Sequence, residues 1–179
     1  SPSTPNDAYW MIQQAVASKD PVLFFEPKRR YWQKGPVNLD TPPAGMHNAK
    51  VVREGTQLTI ATYGPMVTTS LEAAAMAAEE GTSIEVIDIR SMSPIDFSTI
   101  IESVKKTNRV IIVEESWPFG AVCTEIAYRI QKDAFDYLDA PIRRVNGADS
   151  SMHYAPNLVA AYLPDTTKVV KVVKEVLYR

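Results

Sequence analysis

The stretch from Gln57 to Glu115 constrains the chain most, because it reads strand, helix, strand, helix, strand. Leu58-Thr59-Ile60-Ala61-Thr62, Ile84-Glu85-Val86-Ile87-Asp88-Ile89 and Val110-Ile111-Ile112-Val113 are short runs rich in β-branched residues. Between the first two, Val67, Leu71, Ala74 and Ala78 share one helical face. Between the second and third, Phe97, Ile100, Ile101 and Val104 recur at the spacing of an amphipathic helix. Strands that alternate with helices argue for parallel pairing through right-handed crossovers. Apolar runs without strict alternation suit strands covered on both faces. The expectation is a three-layer α/β/α domain with a mostly parallel sheet.

The totals agree with that reading and exclude others. A chain of 179 residues holds one ordinary domain, or one domain and part of another. An apolar content of 45% is enough for a full core. The net charge of −2 gives no reason to expect nucleic acid or an anionic membrane surface as partner. Cys123 is the single cysteine and has no partner for an internal disulfide. That points to a reducing home, the cytoplasm or, in a eukaryote, the mitochondrial matrix. No apolar run reaches the roughly 20 residues that span a bilayer. No signal-peptide pattern opens the sequence. Position 1 is serine, as expected of a processed or truncated piece of a longer chain.

Residues 1 to 20 read as a capped helix, with Thr4 as N-cap, Pro5 first in the helix and Asp7 as acidic partner. Ala8, Met11, Ile12, Ala15 and Val16 form its apolar stripe, and Asp20-Pro21 ends it. Val22-Leu23-Phe24-Phe25 reads as a buried strand. One helix and one strand cannot cover each other's apolar faces, so this segment needs a partner surface. Residues 26 to 49 change character, with a charged Lys28-Arg29-Arg30 cluster, Gly35-Pro36, Pro42-Pro43 and Gly45. They read as an extended crossing, and a domain boundary is placed here. The basic cluster reads as solvated charge.

Val51 and Val52 suit a short edge strand before the Glu54-Gly55 turn. At Thr62-Tyr63-Gly64-Pro65 a strand runs into a helix, a place where free N–H groups can hold an anion. One glycine without a G-x-G-x-x-G pattern leaves a dinucleotide site unsupported. Asp88 and Arg90 stand two apart, share a face, and invite pairing with each other or with neighbours. Ser93 and Asp96 are capping candidates, with Pro94 in the first turn of the next helix. Glu114-Glu115-Ser116 ends the third strand, at the sheet edge where α/β proteins bind ligands. A catalytic carboxylate there lacks a histidine, cysteine or second acid at useful spacing, and capping or ion pairing is the simpler role. Trp117-Pro118-Phe119-Gly120 is an apolar loop, an interface anchor if exposed and a helix cover if folded over.

The helix from Ala121 to Asp133 turns Val122, Ile126 and Ile130 inward, with Cys123 as a small buried apolar residue. Ile142-Arg143-Arg144-Val145 is a fourth strand before the Asn146-Gly147 turn. Residues 148 to 164 read as irregular apart from the apolar Leu158 to Leu163. A last helix starts near Asp165, with Val169, Val173 and Val176 as its stripe. His47 and His153 stand in no metal-ligand spacing, and G-x-S-x-G and P-loop patterns are absent. By residue chemistry alone this is an α/β domain without a self-contained active site.

Several stretches together resemble one family. They are Thr4-Pro5-Asn6-Asp7-Ala8, Asp20-Pro21-Val22, Phe25-Glu26-Pro27-Lys28 with Tyr31, and Asp88-Ile89-Arg90-Ser91-Met92-Ser93-Pro94-Ile95-Asp96. Val113-Glu114-Glu115, Phe119-Gly120, Glu125-Ile126, Asp139-Ala140-Pro141 and Arg144-Val145-Asn146-Gly147-Ala148-Asp149 continue the match, in order, over nearly the whole chain. The pattern resembles the C-terminal portion of the beta subunit of 2-oxoacid dehydrogenase decarboxylase components.

The resemblance implies that residues 1–45 are the tail of a pyrimidine-binding domain plus linker, a helix-strand remnant. Residues 46–179 are then a transketolase C-terminal-like domain. It implies a thiamine-diphosphate-dependent heterotetramer of two alpha and two beta subunits, which decarboxylates a 2-oxoacid and passes the acyl group to a lipoyl arm. The implied partners are the alpha subunit, a second beta subunit and the lipoyl acyltransferase core. Thiamine diphosphate and its magnesium would be held outside these residues, so no catalytic or cofactor-binding residue is expected here and the chain alone should be inactive. A structural potassium ion is implied at the loop matched by Ala15, Val16, Ser18 and Asp20, with further ligands upstream. Arg179 and the last helix match the region that docks the acyltransferase. Phe24-Phe25-Glu26-Pro27-Lys28 resembles branched-chain enzymes more than pyruvate enzymes.

Overall fold

The structure is a computed structural model that describes residues 1–178. Five strands form one sheet: β1 (Lys50–Arg53), β2 (Leu58–Thr62), β3 (Ile84–Asp88), β4 (Val110–Val113) and β5 (Arg143–Val145). Six α-helices accompany them: α1 (Pro5–Ala17), α2 (Met66–Glu79), α3 (Phe97–Thr107), α4 (Val122–Ala134), α5 (Pro156–Tyr162) and α6 (Thr166–Val176). The strand order is β1-β3-β2-β4-β5. β3, β2, β4 and β5 run parallel, and β1 closes one edge antiparallel to β3. Ile60 lies opposite both Val86 and Ile111, so the central apolar runs are in register.

Successive residues of a strand point to opposite faces, and here both faces are covered. Leu58, Ile60, Ile84, Val86, Ile111 and Val113 pack under α2 and α6. Ala61, Ile89 and Ile112 pack under α3 and α4. The three-layer α/β/α arrangement follows, with a mostly parallel sheet. Each fully buried isoleucine contributes about 1.5–3 kcal/mol relative to its exposed state. The helix ends are fixed as the sequence suggests. The side chains of Thr4, Asp96 and Asp165 accept from the backbone N–H of Asp7, Thr99 and Lys168 at 3.1, 3.2 and 2.7 Å. Each satisfies one of the donors that a helix start leaves free.

Several local expectations fail for physical reasons. Val22–Phe25 is not a buried strand: it joins no ladder, and Leu23 is 85% exposed. A strand needs a neighbour to pair with, and β1 and β5 already end the sheet, without this segment. The apolar stripe of α1 is only partly used, with Met11 buried and Val16 left in solvent. On α2 the inward face runs through Ala73 and Ala77, and Ala78 is exposed. Pro94 precedes α3 rather than sitting in its first turn. The apolar stretch expected from Leu158 to Leu163, within an otherwise irregular segment, lies largely in a helix that starts two residues earlier, α5, whose Pro156 occupies the first turn, where a missing N–H costs nothing.

Candidate functional site at the carboxyl edge of the sheet

The chain leaves β2 toward β3 on one side and returns to β4 on the other. β2 and β4 are neighbours, so the crevice at their carboxyl ends is the topological switch point where such folds hold ligands. Tyr63 follows β2 and Glu114 follows β4. Glu114 is fully buried. Its Oε2 accepts from the Tyr63 hydroxyl at 2.9 Å and from the backbone N–H of Cys123 at 3.2 Å. Its Oε1 accepts from the Ser116 hydroxyl and from Asn146 Nδ2, both at 2.9 Å. Cys123 lies in the first turn of α4, so the carboxylate also faces the positive end of that helix. Capping is therefore part of its role.

This network closes on itself. Burial, then the neighbouring Glu114 carboxylate, pushes the Tyr63 phenol well above its ordinary value and holds it as a donor. Burial also raises the Cys123 thiol, with Glu114 beside it, so the sulfur is held as a thiol rather than a reactive thiolate. Asn146 Nδ2 and Arg144 Nη1 stand 3.3 and 3.5 Å from that sulfur. Gly147 lets the chain pass closely, since a Cβ there would lie 2.4 Å from the Glu115 carbonyl oxygen. The crevice is thus filled by the protein's own side chains. Beyond it, the Trp117–Gly120 loop stands outward, with Phe119 85% exposed. Of the two placements open to that loop, the structure has the exposed one.

A second buried cluster lies at the end of β3. Arg90 is fully buried and takes a left-handed backbone conformation at φ 61°. Its backbone N–H donates to Asp88 Oδ1 at 3.0 Å. Its Nη1 donates to the carbonyls of Gly45 and Asn48 at 2.7 and 2.9 Å, and Nη2 lies 3.2 Å from Asp7 Oδ1. Asp88 accepts from the Ser3 hydroxyl. Burial pushes the Asp88 carboxyl up to about 6, with the Asp7 carboxylate adding to it and the Ser3 and Arg90 contacts opposing it. One guanidinium thus joins α1, the 45–48 crossing and the sheet. The sequence spacing shows Asp88 and Arg90 as a pair, but not the three distant partners.

The residues predicted to hold ions are elsewhere. Ser18 caps the C-terminus of α1, its N–H donating to the Ala15 carbonyl at 3.3 Å. Its hydroxyl accepts from the Asp20 N–H at 3.2 Å. Ala15, Val16, Ser18 and Asp20 thus share one turn. Arg179 lies outside the described residues. Among the described residues, no group of three or more His, Cys, Asp or Glu side chains is placed to hold a metal ion. His47 Nδ1 lies 3.3 Å from Ser91 Oγ on the surface. These residues do not fit a magnesium diphosphate. No described helix is long and apolar enough to cross a membrane.

This doubly covered sheet, with its switch-point crevice closed, defines the class. Residues 47–169 match the family described as the transketolase, C-terminal domain, and the chain belongs to that family. It is 46% identical over 97% of its length to the pyruvate dehydrogenase E1 component subunit beta of Leifsonia xyli subsp. xyli. It is 41% identical over 98% of its length to the 3-methyl-2-oxobutanoate dehydrogenase subunit beta of Mycobacterium tuberculosis. In each case it spans 51% of the relative, so the chain covers about half the length of the curated proteins it matches. A solved structure titled a split gene transketolase, inactive beta4 tetramer, is similar at a TM-score of 0.66 and 27% identity. The match covers 80% of this chain and 46% of that one. The chain's homologues are thus E1 beta subunits of 2-oxoacid dehydrogenases, components of oxidoreductases.

Proposed function

We propose that this chain is the C-terminal part of the beta subunit of a thiamine-diphosphate-dependent 2-oxoacid dehydrogenase, where it serves as scaffold and docking surface. The observation that carries the reading is the likeness to beta subunits along nearly the whole chain, joined to a carboxyl edge already filled by Glu114 and its four donors. In this reading the decarboxylation and the acyl transfer to a lipoyl arm belong to polypeptide beyond these residues. Residues 1–45 are the tail of the pyrimidine-binding domain, and residues 46–179 form the C-terminal domain. The exposed Leu23, Phe25 and Trp32 are then where upstream polypeptide packs. The partners are an alpha subunit, a second beta subunit and the acyltransferase core, which the last helix and Arg179 would dock. The turn of Ala15, Val16, Ser18 and Asp20 supplies part of a potassium site, completed from upstream. The compartment is the cytoplasm or the mitochondrial matrix.

Two observations pull apart on the acid. Phe24-Phe25-Glu26-Pro27-Lys28 favours a branched-chain 2-oxoacid. The higher identity, 46% against 41%, is to a pyruvate-type relative. The full-length chain, co-expressed with its alpha partner and given thiamine diphosphate, is assayed for decarboxylation of 3-methyl-2-oxobutanoate and of pyruvate. Preference for the first supports the branched-chain reading, and preference for pyruvate replaces it with the second. Activity on neither acid removes the dehydrogenase reading itself.

A further inference from the structure

We propose, resting on the reading above in which a second beta subunit is a partner, that this second copy packs on the outer face of α4, antiparallel about a two-fold axis beside Tyr128. Cys123, Ile126, Ile130 and Ala134 form the inward row of α4 and are buried. At about 3.6 residues per turn, Glu125, Tyr128, Lys132 and Phe135 fall within about 80° of one another, on the side opposite that row. All four are exposed, Tyr128 at 60% and Phe135 at 62%. Phe135 keeps helical backbone angles at the C-cap and so continues the stripe. Just before α4, the Trp117 and Phe119 side chains also stand in solvent. Aromatic side chains are enriched where proteins associate.

Charge decides what fits this face. Arg129, on its flank, is already engaged: it pairs with Asp133 at 3.3 Å and stacks over the Phe97 ring at 4.5 Å. Glu125 and Lys132 make no ion pair among the described residues. They are one acid and one base, about 10 Å apart along the helix, with Tyr128 between them. A partner of single sign would be repelled by one of the two. A two-fold interface instead requires a patch that complements itself. Two α4 helices laid antiparallel, with the axis between residues 128 and 129, place Glu125 opposite the second copy's Lys132, and Lys132 opposite its Glu125. The same operation sets the two Tyr128 rings side by side at the axis. It also carries Phe135 to the start of the other α4, next to the exposed Phe119 loop. A shift of one turn separates both ion pairs, and a parallel arrangement sets like charges together, so the charges fix register and direction.

The test is sedimentation equilibrium of the 179-residue chain over a range of concentrations. The expected result is a monomer–dimer equilibrium that Lys132→Glu and Glu125→Lys each weaken by about tenfold, since either change sets like charges across the axis twice. The double exchange, Glu125→Lys with Lys132→Glu, should return the dimer to within about twofold of the original. Tyr128→Cys, oxidised with diamide, should give a disulfide-linked dimer in the chain and in the full-length subunit assembled with its alpha partner. Cys123 is buried and does not compete. A chain that is monomeric at every concentration overturns the proposal. So does a dimer that both single changes leave intact, one that the double exchange fails to restore, or the absence of the cross-link. None of these readouts uses a substrate. A monomeric chain beside an active assembled enzyme therefore removes this surface alone, and a dimer that passes these tests beside an enzyme inactive on both acids removes the dehydrogenase reading alone.

Discussion

Residues 46–178 and residues 18–45 are built on opposite terms. The first region buries both faces of its sheet under four helices and satisfies its deepest carboxylate, Glu114, with four donors of its own. The second leaves Leu23, Phe25, Trp32 and Leu39 in water, with Trp32 91% exposed. It is held to the first by a few contacts, chiefly Arg90 to the carbonyl of Gly45, Arg30 to the carbonyl of Pro65 and the ion pair of Arg29 with Glu115. Large apolar side chains left together in solvent mark a surface that another polypeptide covers. The difference teaches that one part of this chain closes its own core while the other leaves its large apolar side chains exposed, the face that the proposed function assigns to upstream polypeptide.

Substitutions can break that comparison, beginning with the joint itself. Arg90→Met leaves the buried Asp7 carboxyl group without its guanidinium partner, and the Gly45 and Asn48 carbonyls without a donor. Removing one member of a buried ion pair costs about 3–5 kcal/mol, which urea denaturation should report. Ile112→Ala, in the middle of β4 under α3 and α4, should cost about 2–5 kcal/mol in the same assay. Glu114→Gln places an amide NH2 where two donors already point, so at least two hydrogen bonds to a charged group are lost. A loss of about 3 kcal/mol is expected, together with faster exchange of the first-turn amides of α4. Leu23→Ser should change the stability of the isolated chain by less than about 0.5 kcal/mol, while weakening assembly of the full-length subunit. A large stability loss at Leu23 with none at Ile112 would invert the comparison.

How much of this was legible follows the range of the interactions. The strands, α2, α3 and α6, and the caps at Thr4, Asp96 and Asp165 rest on neighbours within a few residues, and their patterns show directly. The edge strand at Lys50–Arg53 was legible from its length and the turn after it. Arg90 was visible only as a partner of Asp88, because Asp7 and Gly45 meet it through the tertiary fold. For Glu114 the sequence offers capping or ion pairing, while its closure by Tyr63 and Asn146 depends on strand order, which sequence spacing does not carry. Val22–Phe25 reads as a strand by composition, but a strand also needs a pairing partner alongside, and this segment joins no strand of the sheet. The short α5 escaped because its seven residues carry too little periodicity.

The central claim is that these residues form scaffold and docking surface while the coenzyme is held by polypeptide outside them. Isothermal titration of the 179-residue chain with thiamine diphosphate and magnesium tests it most directly. The account predicts no saturable heat from the chain alone, and saturable binding once the full-length subunit is assembled with its alpha partner. Saturable one-to-one binding to the chain by itself would contradict it.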